Sequence, residues 1–346
     1  MKKTVAIITQ PLTTNYGGLL QNWAIQQVLK DMGFSPITFD QTDWNPSFSV
    51  KVKLCILRML RPKSSFESFI KQNIIKTRKS IEYSDFLRCD RKYKPYAYIV
   101  GSDQVWRPKY NKFLDASFLT FTDNSRKIAY AASFGTDTCE FSKEQSEKYS
   151  AELAKFKAIS VREAAGVTLC KREFNVEAIK VLDPTLLLTK ERYLSIMPDK
   201  DNNNHIFSYI LDDDKWKCDV VGTVCAHYNL PEVAGKYNKF GLLPPPLSVE
   251  QWLSELSSAR FVVCDSFHGL VFSLLMHRPF IVLANKKRGN ERLTSLLSSL
   301  GLEGRLVDEG YNFDSMLNQQ IDWTSVDEKL DLLRKESISF LTKALN

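Results

Sequence analysis

Short apolar segments alternate with helical patterns along most of the chain, and this alternation constrains the fold more than any other feature. Residues 4–9 form a β-rich apolar run, a helical pattern follows over residues 19–32, and residues 35–40 form a second strand-like run. An uninterrupted apolar run of this length is typical of a strand buried on both faces of a parallel sheet. The chain therefore opens with a β-loop-α-β unit, the beginning of a doubly wound α/β domain.

The same alternation restarts after a polar stretch at residues 197–204, which indicates two domains. A chain of 346 residues is also too long for one ordinary domain. We predict an N-terminal Rossmann-like domain over 1–198, a second over 199–325, and a closing helix over 326–346. Open sheets bind ligands at the carboxyl ends of their strands, so we expect the two domains to face a central cleft.

Charge and cysteine usage exclude several classes of protein. The 47 Lys+Arg exceed the 40 Asp+Glu by a formal charge of +7, which suits an anionic substrate or membrane surface and is small for a nucleic-acid-binding protein. The seven cysteines are widely spaced without a C-x-x-C pair, so we predict reduced thiols and a cytoplasmic protein. No apolar run approaches the roughly 18 residues needed to span a bilayer.

The first candidate site is the loop that follows the first strand. It contains Asn15, Tyr16 and Gly17, and it leads into Gln21. Its two adjacent glycines would let the backbone approach a ligand, and the helix that follows offers free N–H groups to an anion. The alternative is a tight strand-to-helix turn without a ligand.

A second candidate follows the predicted strand at residues 96–100. Asp103 is suited to bind a sugar hydroxyl or to take its proton, and Trp106 is suited to stack on a sugar ring. The alternative is a turn stabilised by the Asp103 side chain, with Trp106 in the core.

A third candidate, Arg162, follows the predicted strand at residues 158–161. Its guanidinium is a planar partner for phosphate or carboxylate. The alternative is a structural ion pair with Glu163 or with another carboxylate.

The fourth candidate is the segment DSFHG at residues 265–269, between an apolar strand and an apolar helix. His268 is expected near a helix N-terminus, which disfavours the imidazolium unless a bound anion restores it. The alternative is a histidine without a catalytic role in a helix start capped by Ser266.

Two basic segments are further candidates for binding anions, one in a predicted loop and one in a predicted helix. Lys286, Lys287 and Arg288, with Arg292 beyond them, suit a doubly charged anion, whereas the alternative is a solvated basic loop. Residues 50–63 are apolar on one side and carry only basic charges. This pattern predicts either a helix on an anionic membrane surface or a core helix with a basic outer face.

Taken together, these segments resemble the polysaccharide pyruvyl transferase family. The matching segments are NYG (15–17) with Gln21, GSDQVW (101–106), AYAASFG (129–135), SVRE (160–163), DPT (183–185), DSFHG (265–269) and the Arg292-Leu293 pair before a helix. The resemblance implies two Rossmann-like domains in a glycosyltransferase-B-like arrangement. It also implies phosphoenolpyruvate as the donor and a sugar acceptor in the assembly of capsule or another surface polysaccharide.

The resemblance also assigns roles to residues. His268 corresponds to the general acid, and Asp103 is the second catalytic candidate. The donor-binding candidates are Arg162, Arg288, Ser266, Arg292 and Lys287, and the choice among the loop cations at 286–288 stays open. The acceptor-side candidates are Asn15, Tyr16, Gly17, Gln21, Trp106 and Asp265.

The reaction implied by the resemblance needs no cofactor or metal beyond phosphoenolpyruvate as co-substrate. The expected partners are phosphoenolpyruvate and a sugar or lipid-linked oligosaccharide, with peripheral contact at the inner membrane face left open and no nucleic acid. Two other functions remain in view. One is a nucleotide-sugar glycosyltransferase with the same fold, and the other is a non-catalytic saccharide-binding protein.

Overall fold

The computed structural model describes residues 2–13, 15–42, 65–198, 204–212, 214–235 and 247–346. The basic segment at residues 50–63 lies outside these ranges. The chain forms two compact units: unit 1 comprises Met1–Thr185 with Ser337–Asn346, and unit 2 comprises Leu186–Glu336. In the described ranges, no helix combines the length and apolarity needed to cross a bilayer.

Unit 1 contains a parallel sheet of six strands in the order β2-β1-β3-β4-β5-β6. The strands are β1 Thr4–Ile8, β2 Ser35–Thr38, β3 Ala97–Val100, β4 Lys127–Ala132, β5 Ala158–Val161 and β6 Ile179–Lys180. The central strands β3 and β4 are buried throughout, and their sequences are apolar except for Lys127 at the start of β4. The strand order reverses between β1 and β3, and such a reversal is where open sheets form ligand sites.

Helices alternate with these strands along the chain. They are α1 Tyr16–Asp31, α2 Ser65–Asn73, α3 Tyr83–Tyr93, α4 Leu114–Ser117, α5 Lys143–Leu153, α6 Ala164–Phe174 and α7 Pro184–Leu187. Helix α1 begins three residues before the predicted start because the Asn15 side chain accepts a hydrogen bond from Gly18 N at 3.1 Å and so caps the helix.

Unit 2 contains a second parallel sheet, of five strands in the order β11-β10-β9-β7-β8. The strands are β7 Ile206–Tyr209, β8 Glu232–Ala234, β9 Phe261–Cys264, β10 Phe280–Leu283 and β11 Leu306–Val307. The helices are α8 Lys190–Leu194, α9 Lys215–Tyr228, α10 Val249–Ser257, α11 Phe267–Leu275, α12 Glu291–Leu300, α13 Asp314–Asn318 and α14 Trp323–Leu345. Both units are therefore Rossmann-like, and the α/β fold class predicted from the sequence is confirmed.

The two units divide the chain after Thr185 and again after Glu336. Residues 186–198, which the sequence prediction assigned to the first domain, belong to unit 2. The closing helix begins at Trp323, and its final turns return to unit 1, where Phe340 packs on Tyr130 with ring centroids 6.3 Å apart.

Candidate active site

In unit 1, polar side chains meet at the carboxyl end of the sheet, beginning with the turn after β3. Gly101 has a φ of +116°, and a Cβ at this position would lie 2.2 Å from the Tyr130 carbonyl oxygen. Only glycine fits so close an approach. The turn carries Asp103 beside Arg162, with 3.6 Å between Asp103 Oδ1 and Arg162 Nη2, and the same Oδ1 accepts a hydrogen bond from Gln104 N at 2.8 Å.

Arg162 lies buried at the end of β5. Its Nη1 donates to Asp183 Oδ2 at 2.9 Å, and that oxygen also accepts a hydrogen bond from Ser102 Oγ at 2.7 Å. Burial lowers the pKa of Arg162. The neighbouring carboxylates, above all Asp183, raise it by a larger amount, so the pKa of Arg162 lies above its usual value. The structure thus shows the ion pair that the sequence left as an alternative, with Asp183 and Asp103 as the carboxylates.

Glu163 organises the neighbouring loop. Its buried Oε1 accepts hydrogen bonds from Ser133 Oγ at 2.9 Å, Phe134 N at 2.9 Å and Gly135 N at 3.2 Å. From the sequence, Glu163 was a candidate only for an ion pair with Arg162. Its position shows that it fixes the loop after β4, which belongs to the same edge of the sheet.

Gln21, in α1, joins the ends of two strands, β1 and β3. Its Nε2 donates to Thr9 Oγ1 at 2.9 Å, and its Oε1 accepts a hydrogen bond from Ser102 N at 3.2 Å. Tyr16 and Gly17 are buried in the first turn of α1, and the Tyr16 ring packs on Phe66. The Asn15–Gln21 segment therefore builds this edge of the sheet, with Asn15 as its exposed member.

Trp106 lies in the core of unit 1. It is fully buried, its Nε1 donates to the Ser117 carbonyl oxygen at 3.0 Å, and its ring stacks on Phe118 with centroids 5.5 Å apart. Phe134 covers it further at 5.3 Å. The predicted sugar-stacking role is not supported by this position, because the indole offers no face to a ligand.

In unit 2, the buried Asp265 carboxylate ties together the ends of three strands. Its Oδ1 accepts a hydrogen bond from Leu211 N at 2.6 Å, after β7. Its Oδ2 accepts hydrogen bonds from Lys217 Nζ at 2.8 Å, from Asn285 Nδ2 at 2.9 Å and from Asp212 N at 3.3 Å. Asp265 therefore holds the loop after β7 and the loop after β10 against the start of α11.

His268 occupies the first turn of α11. Ser266 caps the helix, with its Oγ accepting from Gly269 N at 2.9 Å. The His268 side chain is largely buried and packs edge-on against Phe267, with centroids 5.3 Å apart. The N-terminal end of a helix carries a positive potential that favours an anion.

The basic loop after β10 carries ion pairs to acidic residues of unit 2. Arg288 Nε donates to Asp212 Oδ2 at 2.6 Å, Lys287 Nζ donates to Asp214 Oδ1 at 2.6 Å, and Lys286 Nζ lies 3.5 Å from Asp308 Oδ1. Arg292 reaches back to the Arg288 carbonyl oxygen at 3.5 Å. Burial raises the pKa of Asp212, but hydrogen bonds from Arg288 and Asn285 outweigh it and lower that pKa to about 2.

The structure thus gathers the sequence candidates into one group in each unit. Asn15, Gln21, Asp103 and Arg162 line the edge of the unit 1 sheet, and Asp265, Ser266, His268, Lys287, Arg288 and Arg292 gather at the edge of the unit 2 sheet.

Lys217, Asp212 and Asn285 were not identified from the sequence as residues of the site. The available signal was the acidic run at residues 212–214, which begins three residues after the end of β7. Across the described ranges, no three His, Cys, Asp or Glu side chains converge as a metal site.

The comparison with known protein families identifies the chain's relatives. The sequence model of the family described as Polysaccharide pyruvyl transferase matches residues 15–287. The chain belongs to the polysaccharide pyruvyl transferase family. This matched range includes both groups of polar residues apart from Arg288 and Arg292, and membership makes the protein a transferase of polysaccharide biosynthesis. No curated protein matches this family member in sequence.

Solved structures similar to this family member show its fold. S. aureus MnaA bound to UDP is 11% identical with a TM-score of 0.54, over 98% of this chain and 91% of the other. The UDP-GlcNAc 2-epimerase of Methanocaldococcus jannaschii is 11% identical with a TM-score of 0.52, over 96% and 99%. Phytolacca americana UGT2, complexed with UDP-2fluoro-glucose and pterostilbene, is 10% identical with a TM-score of 0.52, over 100% and 99%. These likenesses confirm a glycosyltransferase-B type of fold.

Proposed function

We propose that this protein transfers the pyruvyl group of phosphoenolpyruvate to two hydroxyls of a sugar, forming a cyclic ketal and releasing phosphate. The family match over residues 15–287 carries the proposal. The chemistry of the unit 2 edge supports it, since a histidine at a helix N-terminus lies in the same unit as several cations.

The proposed reaction begins with proton transfer. His268 gives a proton to the methylene carbon of phosphoenolpyruvate, and the adjacent carbon becomes oxocarbenium-like. One sugar hydroxyl attacks this carbon and loses its proton to a carboxylate, and proton exchange with solvent then restores both that carboxylate and His268. The C–O bond to phosphate then breaks, and the second hydroxyl closes the ring while its proton leaves with the phosphate.

The donor's phosphate and carboxylate need fixed cations. Arg288 and Lys287 are our candidates, with Arg292 behind them, because guanidinium and ammonium groups bind such oxyanions and stabilise charge in a transition state. Their ion pairs to Asp212 and Asp214 keep them on the loop after β10. We assign Ser266 the role of holding the first turn of α11, from which N–H groups face an anion.

We assign the acceptor to unit 1. Asp103 is the proposed proton acceptor for a sugar hydroxyl, and Asn15 is an exposed polar residue of the first loop. Arg162, held by Asp183 and Asp103, acts here by positioning Asp103. A lipid-linked oligosaccharide of a surface polysaccharide is the proposed acceptor, and the reaction then takes place at the inner face of the membrane.

The test is direct. The protein is incubated with phosphoenolpyruvate and a panel of free and lipid-linked galactosides, and both phosphate release and a gain of the pyruvyl mass on the sugar are measured. His268→Ala should lower turnover by about a hundredfold or more, as expected for the loss of a general acid. His227→Ala, an exposed histidine of the same unit, serves as the control and should leave turnover unchanged. Nucleotide-sugar hydrolysis without phosphoenolpyruvate turnover would favour a glycosyltransferase instead.

A further inference from the structure

Basic residues are concentrated in unit 1. This unit holds 30 of the 47 Lys+Arg and 19 of the 40 Asp+Glu, which leaves 17 basic and 21 acidic residues in unit 2. Unit 1 is therefore strongly positive and unit 2 slightly negative. Asymmetry of this kind within one chain is typical of a protein that meets an anionic surface.

Part of this charge lies at the amino end of the unit 1 sheet, away from the candidate site at the carboxyl end. Seven cations precede four neighbouring strands: Lys2 and Lys3 before β1, Arg91, Lys92 and Lys94 before β3, Arg126 before β4, and Lys157 before β5. We call these seven residues the basic edge. Because β1, β3, β4 and β5 are adjacent and strands lie about 4.8 Å apart, the basic edge is roughly 15 Å wide.

The cations of the basic edge are largely exposed and lie outside the ion pairs that the described residues form. All but Arg126 are exposed. Among the ion pairs between described residues, none involves a member of the basic edge, whereas Lys155 and Lys127 nearby both pair with Glu152. Charges left exposed in this way remain available to an anionic partner.

The surroundings of the basic edge favour a lipid surface over other anionic partners. Lys3 Nζ and Arg126 Cζ lie 4.0 and 4.4 Å from the centroid of the Tyr96 ring, so the protein's own cations occupy the aromatic group that a nucleobase would need. Among the large exposed hydrophobic side chains of the described ranges, only Leu87 lies within four residues of a basic-edge cation, one helical turn from Arg91, and a single leucine does not make an apolar centre. A protein interface would need such an apolar centre, whereas an anionic bilayer attracts clustered lysines and arginines by charge alone.

We infer that the basic edge of unit 1 docks on an anionic phospholipid bilayer. The inference does not depend on the proposed reaction, since it places no basic-edge residue at the candidate site. It is also separate from the interpretation of residues 50–63, none of which belongs to the basic edge.

The experiment measures binding of the full chain to vesicles of phosphatidylcholine with or without one third phosphatidylglycerol, by flotation at low and high salt. Binding should require phosphatidylglycerol and should fall at high salt. Replacing Lys2, Arg91 and Lys157 together by glutamine should lower the partition coefficient on the order of a hundredfold, at about fivefold per cation.

The matched control replaces Lys79, Lys109 and Lys143 by glutamine. These three exposed lysines lie in segments at the other end of the sheet, and the control changes the net charge by the same amount. Its partition coefficient should stay near that of the unchanged protein, and thermal unfolding should show that both variants are folded. An equal loss in both variants, or no binding to phosphatidylglycerol vesicles, would overturn the inference. So would retention by double-stranded DNA with none by vesicles.

Discussion

At the scale of single residues, the edge of unit 2 depends on charges that are buried and paired. Asp265 and Lys217 are both nearly inaccessible, and each compensates the other inside the unit. The sequence indicated Asp265 because it directly follows an apolar strand. It could not indicate Lys217, which is 48 residues away and meets Asp265 only because β7 and β9 are neighbours.

The pair of lysines in α9 gives a prediction with an internal control. Lys217→Met should lower the free energy of unfolding by about 3–5 kcal/mol, because it leaves the Asp265 carboxylate buried without its cation. Lys215→Met removes an exposed lysine paired with Asp219 and should change stability by less than about 1 kcal/mol. Urea unfolding followed by circular dichroism measures both. Equal effects of the two substitutions would contradict the role given to Lys217.

The pH dependence of stability should report the Asp212–Arg288 ion pair. The folded protein lowers the pKa of Asp212 to about 2, whereas an unfolded aspartate titrates near 3.9. The carboxylate therefore stabilises the fold fully above about pH 4, and this contribution is lost as the pH falls towards 2. The difference in unfolding free energy between the unchanged protein and Asp212→Asn should shrink over that window. A difference independent of pH would show that Asp212 does not act through its charge.

At the scale of elements, the apolar strands and helix caps followed from local sequence, and the pairing of elements did not. A serine before a helical pattern is typical of a helix cap, and Ser248 accepts a hydrogen bond from Gln251 N at 3.0 Å. The short strands β8 and β11 gave no such signal, since β8 carries a glutamate and partly exposed positions and β11 has two residues. The location of Trp106 could not be predicted for a related reason, since an aromatic residue after a strand end suits either a sugar site or the core. The contacts with Phe118 and Phe134 show that Trp106 lies in the core.

Helix α11 should require glycine at its third residue. A Cβ on Gly269 would lie 2.7 Å from Cys264 Cβ and 2.9 Å from its Sγ, so Gly269→Ala should destabilise the protein by about 1–3 kcal/mol through overpacking. Gly222→Ala in α9, where nothing lies within 4 Å of the new Cβ, should instead stabilise it by about 0.5–1 kcal/mol. Chemical denaturation of both variants separates the steric effect at α11 from the general helix preference for alanine.

At the scale of the whole molecule, the chain returns to its first unit after completing the second. The last ten residues, Ser337–Asn346, belong to unit 1, where Ser337 Oγ accepts a hydrogen bond from Leu182 N at 3.0 Å. The Leu345 carbonyl oxygen accepts one from Tyr96 Oη at 3.3 Å. The sequence predicted the closing helix as a separate element, because no local pattern shows on which core a terminal amphipathic helix packs.

Because residues Ser337–Asn346 pack in unit 1, we expect them to stabilise that unit. Leu341 is fully buried, so Leu341→Ala should cost about 2–5 kcal/mol through lost burial and a cavity. Lys343→Ala, two residues further on and exposed, should stay within about 0.5 kcal/mol. Hydrogen exchange shows where the loss falls: amides of β3 and β4 should exchange faster in Leu341→Ala, while those of β9 and β10 keep their protection. Faster exchange in β9 and β10 with none in β3 and β4 would mean that the closing helix supports unit 2 instead.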